Sequence, residues 1–276
     1  MSVAHGLCDF ISAVDTPAIW ELNIWYHTLN CGMTAPISGE TDFPCIYDAK
    51  VGLGRIYVKL DEDQPLSYEG WVNALKNGRS YCTDGLSHLV DFSVNGVGVG
   101  EFAHGQSQPS RVDLKQPGIV KVRFDATARL DPHTSPRTEA IRNSRLDTKP
   151  YWHLERCRIG DSRDVPIEVV VIGEVVAKKT LTADGKFESF ELDVKVEKSS
   201  WIAVRILPSC HTNPIFIHVD DQPIRVNAKS AQWCIDSVRA CWDSKRNQIR
   251  ESERAAAKQA YDQATEIYRQ ILDESK

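Results

Sequence analysis

The sequence predicts an α+β chain in three parts: a partial β/α-barrel remnant, then an antiparallel β-sandwich, then a C-terminal helical tail. Three observations predict it. A strand–helix–strand pattern fills residues 7–45, alternation of period two runs from Arg79 to Val219, and helical spacing takes over from Lys229. The expected units are 1–85 (barrel end plus junction helix), 86–228 (sandwich) and 229–276 (helix or helix pair).

Residues 7–14 read as a buried strand. Asp15-Thr16-Pro17 then opens a helix running to about Asn30, with Pro17 in its first turn. Ile19, Leu22, Trp25, Tyr26 and Leu29 recur at helical spacing, and Gly32 stops it. Residues 35–40 form a second strand, ending in Thr41-Asp42-Phe43-Pro44-Cys45. Such a β–α–β unit belongs to a parallel sheet or barrel and is too small to close either. Residues 55–60 are another strand. Ser67 caps a short helix over 68–77, which Gly78 ends.

From Arg79 the apolar period is two. Val90, Phe92 and Val94 alternate with Asp91 and Ser93, and Asn95-Gly96 is a hairpin signal. Residues 119–127 alternate in the same way. The Pro-, Thr-, Ser- and Arg-rich run 131–150 reads as a long loop. Strands are expected again at 152–158, 165–172, 175–181, 187–197, 201–207 and 215–219, with turns every 8–12 residues, as in a β-sandwich. In the tail, Cys234, Val238, Cys241, Trp242 and Ile249 make one stripe. Ala257, Tyr261, Ala264, Tyr268 and Ile271 make a second, as in a helix pair packed on the rest.

The 276 residues carry 33 basic and 38 acidic side chains, net −5, so no basic excess exists to neutralise a phosphate backbone; no nucleic acid is expected as a partner. The longest apolar run, 167–177, is broken by Glu168 and Glu174, so no membrane is expected. Residues 1–8 have no secretory pattern, and the cytoplasm is the default compartment. Eight cysteines are spread without a C-x-x-C, which fits reduced, structural thiols. Gly96, Gly98 and Gly100 follow a hairpin and precede no helix, unlike a dinucleotide-binding turn.

Ser38-Gly39-Glu40-Thr41-Asp42 is the informative cluster. Carboxylates at the C-terminal end of a barrel strand point to where barrel active sites lie. Asp42 suits a divalent cation and Glu40 suits orienting a ligand or water, while a loop cap built on Thr41 and Asp42 fits the residues as well. Arg79 and Asp84 sit at the expected junction, as substrate contacts or as a structural ion pair. His88 is a spare metal or proton-transfer candidate, or a strand-start histidine with ordinary partners. His153 and His211 read as core-edge packing, and Trp20, Trp25, Trp71 and Trp201 as packing faces.

Two runs carry a family resemblance. Trp25-Tyr26-His27-Thr28-Leu29-Asn30-Cys31-Gly32, followed by Ser38-Gly39-Glu40-Thr41-Asp42, resembles the end of the catalytic barrel of CehA/McbA-type metallohydrolases of the PHP (polymerase and histidinol phosphatase) superfamily. Trp71-Val-Asn-Ala-Leu-Lys-Asn-Gly-Arg79-Ser-Tyr-Cys-Thr-Asp84-Gly85 resembles the signature that follows in that family. The resemblance implies a hydrolase that activates water on a divalent metal (zinc, manganese or iron) to cleave a small-molecule ester, carbamate or phosphoester. It implies Asp42 as the late aspartate ligand; the residues themselves, and not the resemblance, offer Glu40 and His88 as catalytic candidates and Arg79 and Asp84 as substrate contacts.

The chain departs from the pattern. Asp42-Phe43-Pro44 lacks the paired histidine, and the early His-x-His and middle Glu and His ligands have no counterpart. The chain is therefore expected to be the C-terminal segment of such an enzyme, inactive alone, with the metal held by the complete enzyme. The alternative is a non-catalytic β-sandwich binding or assembly module. Glu40, Asp42 and His88 converging on one pocket would favour the first. An incomplete barrel also predicts that Ile11, Ile19, Leu22 and Trp25 are exposed, and that the chain self-associates through the face of residues 7–40.

Overall fold

The computed structural model describes residues 1–43, 51–61, 63 and 65–275. The chain is α+β, and its described sheets form no closed barrel. β1 (Ile11–Ser12) and β2 (Ile37–Ser38) make a two-stranded parallel sheet, joined by α1 (Ala18–Asn30). The expected strands at 7–14 and 35–40 thus shorten to two residues each, because among the described strands each finds only the other to pair with.

The next strands extend a larger sheet. β3 (Arg55–Val58) pairs with β4 (Ser80–Thr83), and β4 pairs with β13 (Cys210–Thr212). Beyond β13 come β12 (Ser200–Ile206), β9 (Asp164–Val171) and β10 (Glu174–Thr182). β14 (Ile215–Val219) joins β12 and runs parallel to β7 (Arg111–Leu114). Strands 55–58 and 80–83, read from the sequence as part of the N-terminal unit, are therefore hydrogen-bonded into this eight-stranded sheet. α2 (Tyr68–Lys76) sits between them in sequence, its first turn capped by Ser67, whose hydroxyl accepts from Gly70 N at 3.0 Å.

The smaller sheet has the order β11 (Glu188–Val196), β8 (Gly118–Ala128), β5 (Ser87–Val94), β6 (Val97–Gly98). Asn95 and Gly96 form the two-residue turn between β5 and β6, with φ of 50° and 82°. Positive φ at both positions is what a tight hairpin with right-handed strand twist demands. The two sheets share one core. Leu89, Phe92, Val122 and Phe124 from the smaller sheet meet Ile167, Val204, Ile206 and Ile217 from the larger. Alternation delivers these residues to one face of each strand, and each buried side chain of this kind contributes about 1.5–3 kcal/mol.

The outer face of the large sheet carries α1. Leu22, Trp25 and Leu29 pack on Val170, Trp201, Ala203 and Phe216, with the rings of Trp25 and Trp201 6.5 Å apart. Leu22 and Trp25, expected to be exposed, are buried, because the sandwich itself covers that stripe. Ile19 (46% exposed), Trp20 (57%) and Ile24 (39%) face outward.

Two further expectations are corrected. The loop 131–150 contains α3 (Pro136–Asn143), started by a capping box in which Ser135 accepts from Thr138 N at 3.2 Å. Proline in the first turn and a reciprocal cap compensate for its lack of buried side chains. Residues 152–158 form no strand; Leu154–Cys157 is a short 3-10 helix. The tail is a helix pair, α4 (Ala228–Lys245) and α5 (Glu251–Glu274), whose facing stripes include Cys234, Val238, Tyr261, Ala264 and Tyr268. No helix of the described residues is long and apolar enough to cross a membrane.

Candidate functional site

The C-terminal ends of β1 and β2 open onto a cavity of about 350 Å³. Val14, Leu53, Ile141 and Trp152 give it apolar walls; Asp15, Glu40, Arg137 and His153 supply polar groups. The chain path explains why Glu40 is there. An added Cβ on Gly39 would lie 2.2 Å from Arg55 O, and one on Gly54 would lie 2.1 Å from Glu40 O. The Gly39–Thr41 backbone is thus clasped against Gly54–Arg55, and Thr41 Oγ1 bonds both Gly54 N and Gly54 O at 3.2 Å. Trp152 closes the opposite side, its Nε1 donating to Ala13 O at 2.9 Å.

Replacing Gly39 by alanine drives a methyl into backbone that has no rotamer to yield. Gly39→Ala is expected to cost about 1–3 kcal/mol, read in urea unfolding. A variant as stable as the parent would mean that the clasp is loose.

Burial pushes the Glu40 carboxyl above the ordinary glutamate value, and the neighbouring carboxylates of Asp15 and Asp42 push the same way; Ser38 and the Ala13 backbone oppose. Its Oε1 is buried without a hydrogen-bond partner among the described residues. A carboxyl so perturbed in a cleft is suited to proton transfer or to a ligand's donor group. His153 lines the same cavity. Its Nδ1 accepts from Glu155 N at 3.1 Å, which leaves the proton on Nε2. Burial pulls its pKa down, so it is neutral near pH 7. From the sequence His153 is expected only to pack at the core edge, and its place before a 3-10 turn carries no periodic signal.

The other candidates lie elsewhere. Asp42 is exposed at a φ of 54° and does not line the Glu40 cavity. Among the described residues no group of three or more His, Cys, Asp or Glu side chains could hold a metal ion. The described residues therefore do not fit the metal that the resemblance implies; Pro44 and Cys45 lie outside them. His88 lines a different cavity, of about 550 Å³, which touches the first through His153. Its Nδ1 lies 2.9 Å from Tyr81 Oη, and burial, with the charge of Arg55, lowers its pKa. Arg79 faces a third cavity, of about 480 Å³, lined by residues of both sheets. Its guanidinium pairs with Asp61 and, at 3.5 Å, with Glu101.

Asp84 is held by four donors: Leu86 N at 2.8 Å, Leu154 N at 2.7 Å, Ser209 Oγ at 2.9 Å and Thr83 Oγ1 at 3.5 Å. It ties the β4–β5 turn to the 3-10 helix and to the β12–β13 connection, and it does not pair with Arg79. Burial pushes its carboxyl up to about 6, against those hydrogen bonds. A folded-state value above the unfolded 3.8 means that the folded protein holds the proton more tightly. The resulting stability is fully present below about pH 3.8 and is lost as the pH rises through about 6. The stability of the parent relative to Asp84→Ala, measured by denaturant unfolding, is therefore expected to fall between pH 4 and pH 6.5. A difference that stays flat or grows over that range overturns the assignment.

No family model matches the chain, and no curated protein does. Among solved structures, the β-glucosidase from Listeria innocua in complex with isofagomine aligns at 10% identity with a TM-score of 0.23. The match covers 48% of this chain and 16% of the β-glucosidase. A likeness of that size carries no argument about fold or chemistry.

Proposed function

We propose that this chain is the C-terminal segment of a PHP-like metal-dependent hydrolase acting on an ester, carbamate or phosphoester, and that it is inactive alone. The observation that supports the reading is the open β1–α1–β2 unit. Parallel strands are stable where helices cover both faces of a larger sheet, and two strands of two residues are marginal on their own. Here the pair has no further strand among the described residues, while Ile19, Trp20 and Ile24 turn apolar surface outward from its crossover helix. Residues outside this chain would complete that sheet and supply most of the metal ligands, with Glu40 facing the completed centre.

The native polypeptide that carries α5, detected with an antibody against residues 251–274, is expected to be larger than 31.0 kDa or bound to a second polypeptide. That assembly is expected to hydrolyse p-nitrophenyl esters or phosphoesters with manganese or zinc, and the isolated chain is not. Turnover by the isolated 31.0 kDa chain with stoichiometric metal overturns the proposal.

The positions of Glu40, His88 and Asp42 favour a second reading, a non-catalytic binding or assembly module. Glu40 and His88 line separate cavities and Asp42 lines neither. On this reading the native polypeptide is a 31.0 kDa chain without hydrolase activity that self-associates in light scattering. A clean monomer at high concentration counts against self-association.

A further inference from the structure

We propose that Cys31 and Cys234 form a covalent modification site, which a small peroxide converts to a disulfide that clamps α1 to the C-terminal helix pair. The two residues are 203 positions apart, yet their Sγ atoms lie 4.0 Å from each other. Cys31 closes the C-terminal end of α1, and Cys234 sits in the second turn of α4. Both belong to one apolar cluster with Tyr261, Ala264 and Tyr268 of α5. Both thiols are free. Sulfurs in van der Waals contact need only a side-chain rotation to approach the 2.05 Å of a disulfide, provided the backbones are already near each other, as they are across the α1–α4 packing.

The surroundings single out Cys31 as the first to react. The hydrogen bond with Cys234 favours its thiolate; burial opposes this, and the Arg225 guanidinium assists. Arg225 is fixed there, its Nη1 donating to Cys31 O at 3.1 Å. Cys157 and Cys210, in the sandwich core, have their thiols pushed up by burial, as does Cys82 beneath α1. Thiolate character decides susceptibility to peroxide. The edge of the cluster is formed by half-buried Met33, Trp233, Cys241 and Trp242, so a water-sized oxidant needs only local opening to reach the pair.

The chemistry balances with one peroxide. The Cys31 thiolate attacks one peroxide oxygen and the O–O bond breaks. This leaves a sulfenic acid and a hydroxide that takes up the proton Cys31 released. The Cys234 sulfur then attacks the sulfenic sulfur, forming the S–S bond and breaking the S–O bond. The departing hydroxide leaves as water with the Cys234 proton. Two thiols and one peroxide become one disulfide and two waters.

The test is peptide mapping of the whole folded chain. After hydrogen peroxide treatment and alkylation of the remaining thiols, a non-reducing digest is expected to contain residues 230–239 joined through Cys234 to the peptide holding Cys31. Fragmentation separates Cys31 from Cys8 and Cys45 on that same peptide. Cys31→Ser is expected to abolish the link and Cys8→Ser to leave it. Treatment is also expected to raise the thermal midpoint of the parent reversibly, with dithiothreitol restoring it. Alkylation of both Cys31 and Cys234 in the treated parent overturns the proposal without any variant, as does a link from Cys234 to another cysteine.

Discussion

Trp25→Ala is expected to cost about 3–5 kcal/mol, the range for emptying a fully buried tryptophan site. Trp25 is the contact through which α1 holds the sheet. Its ring tilts against Tyr26 at 5.8 Å and Trp201 at 6.5 Å and meets His211 edge-on at 5.2 Å. Its Nε1 donates to Ala35 O at 2.8 Å, which also fixes the chain just before β2. Truncation therefore removes packing and leaves a half-buried carbonyl without its donor. The sandwich core does not contain Trp25, so the loss is expected to be uneven. Amides of α1 and the β1–β2 pair should exchange much faster, while β8 and β12 stay protected. Urea unfolding with amide exchange checks both parts. A cost below about 1 kcal/mol would mean that α1 is only loosely docked, since partial contact alone gives values of that size.

Arg158→Ala is expected to cost about 3–5 kcal/mol by a different route. Arg158 and Glu155 form a buried pair, with side chains 0% and 4% exposed and Nε to Oε2 at 2.7 Å. The same guanidinium donates to Ser162 O at 2.9 Å and to Asp131 O at 2.8 Å. Removing it strands a carboxylate away from water, and the desolvation penalty is then uncompensated. The double variant Glu155→Met with Arg158→Met is expected to be less destabilised than Arg158→Ala, because no charge remains buried. With the single variants Glu155→Met and Arg158→Met the double variant closes a cycle, and denaturant unfolding then measures the coupling. A double variant as destabilised as the single one would show that the lost bonds to the carbonyls of Asp131 and Ser162, and not the stranded Glu155, set the cost. The pair anchors both ends of the segment that carries α3 and His153, so its loss should also loosen one wall of the Glu40 cavity.

One short run, Ser38-Gly39-Glu40-Thr41-Asp42, carries the local sequence signal for the candidate site. Glu40 lies two residues past the end of β2 and lines the cavity there. The residues that share the cavity with Glu40 are not legible in the sequence. His153 and Arg137 come from a segment more than ninety residues on, and α3 is too polar to announce itself by an apolar stripe. Its capping box at Ser135 and Thr138 was the one available signal, and the surrounding prolines and serines masked it. In the sequence Arg79, Asp84 and His88 stand out only as polar residues near the expected junction. Each has hydrogen-bonding partners that only the fold supplies: Asp61 and Glu101, Leu154 and Ser209, and Tyr81.

The sequence by itself determined the class of the protein. Strand alternation, the Asn95-Gly96 turn, the Ser67 cap and the stripes of the tail are properties of neighbouring residues, and these survive folding unchanged. Tertiary structure alone decided what covers what. It buried Leu22 and Trp25 on the outer sheet face, drew strands 55–58 and 80–83 into the large sheet, and brought Cys31 against Cys234. Burial and pairing are relations between distant segments, set by which apolar faces find each other, and no local period records them.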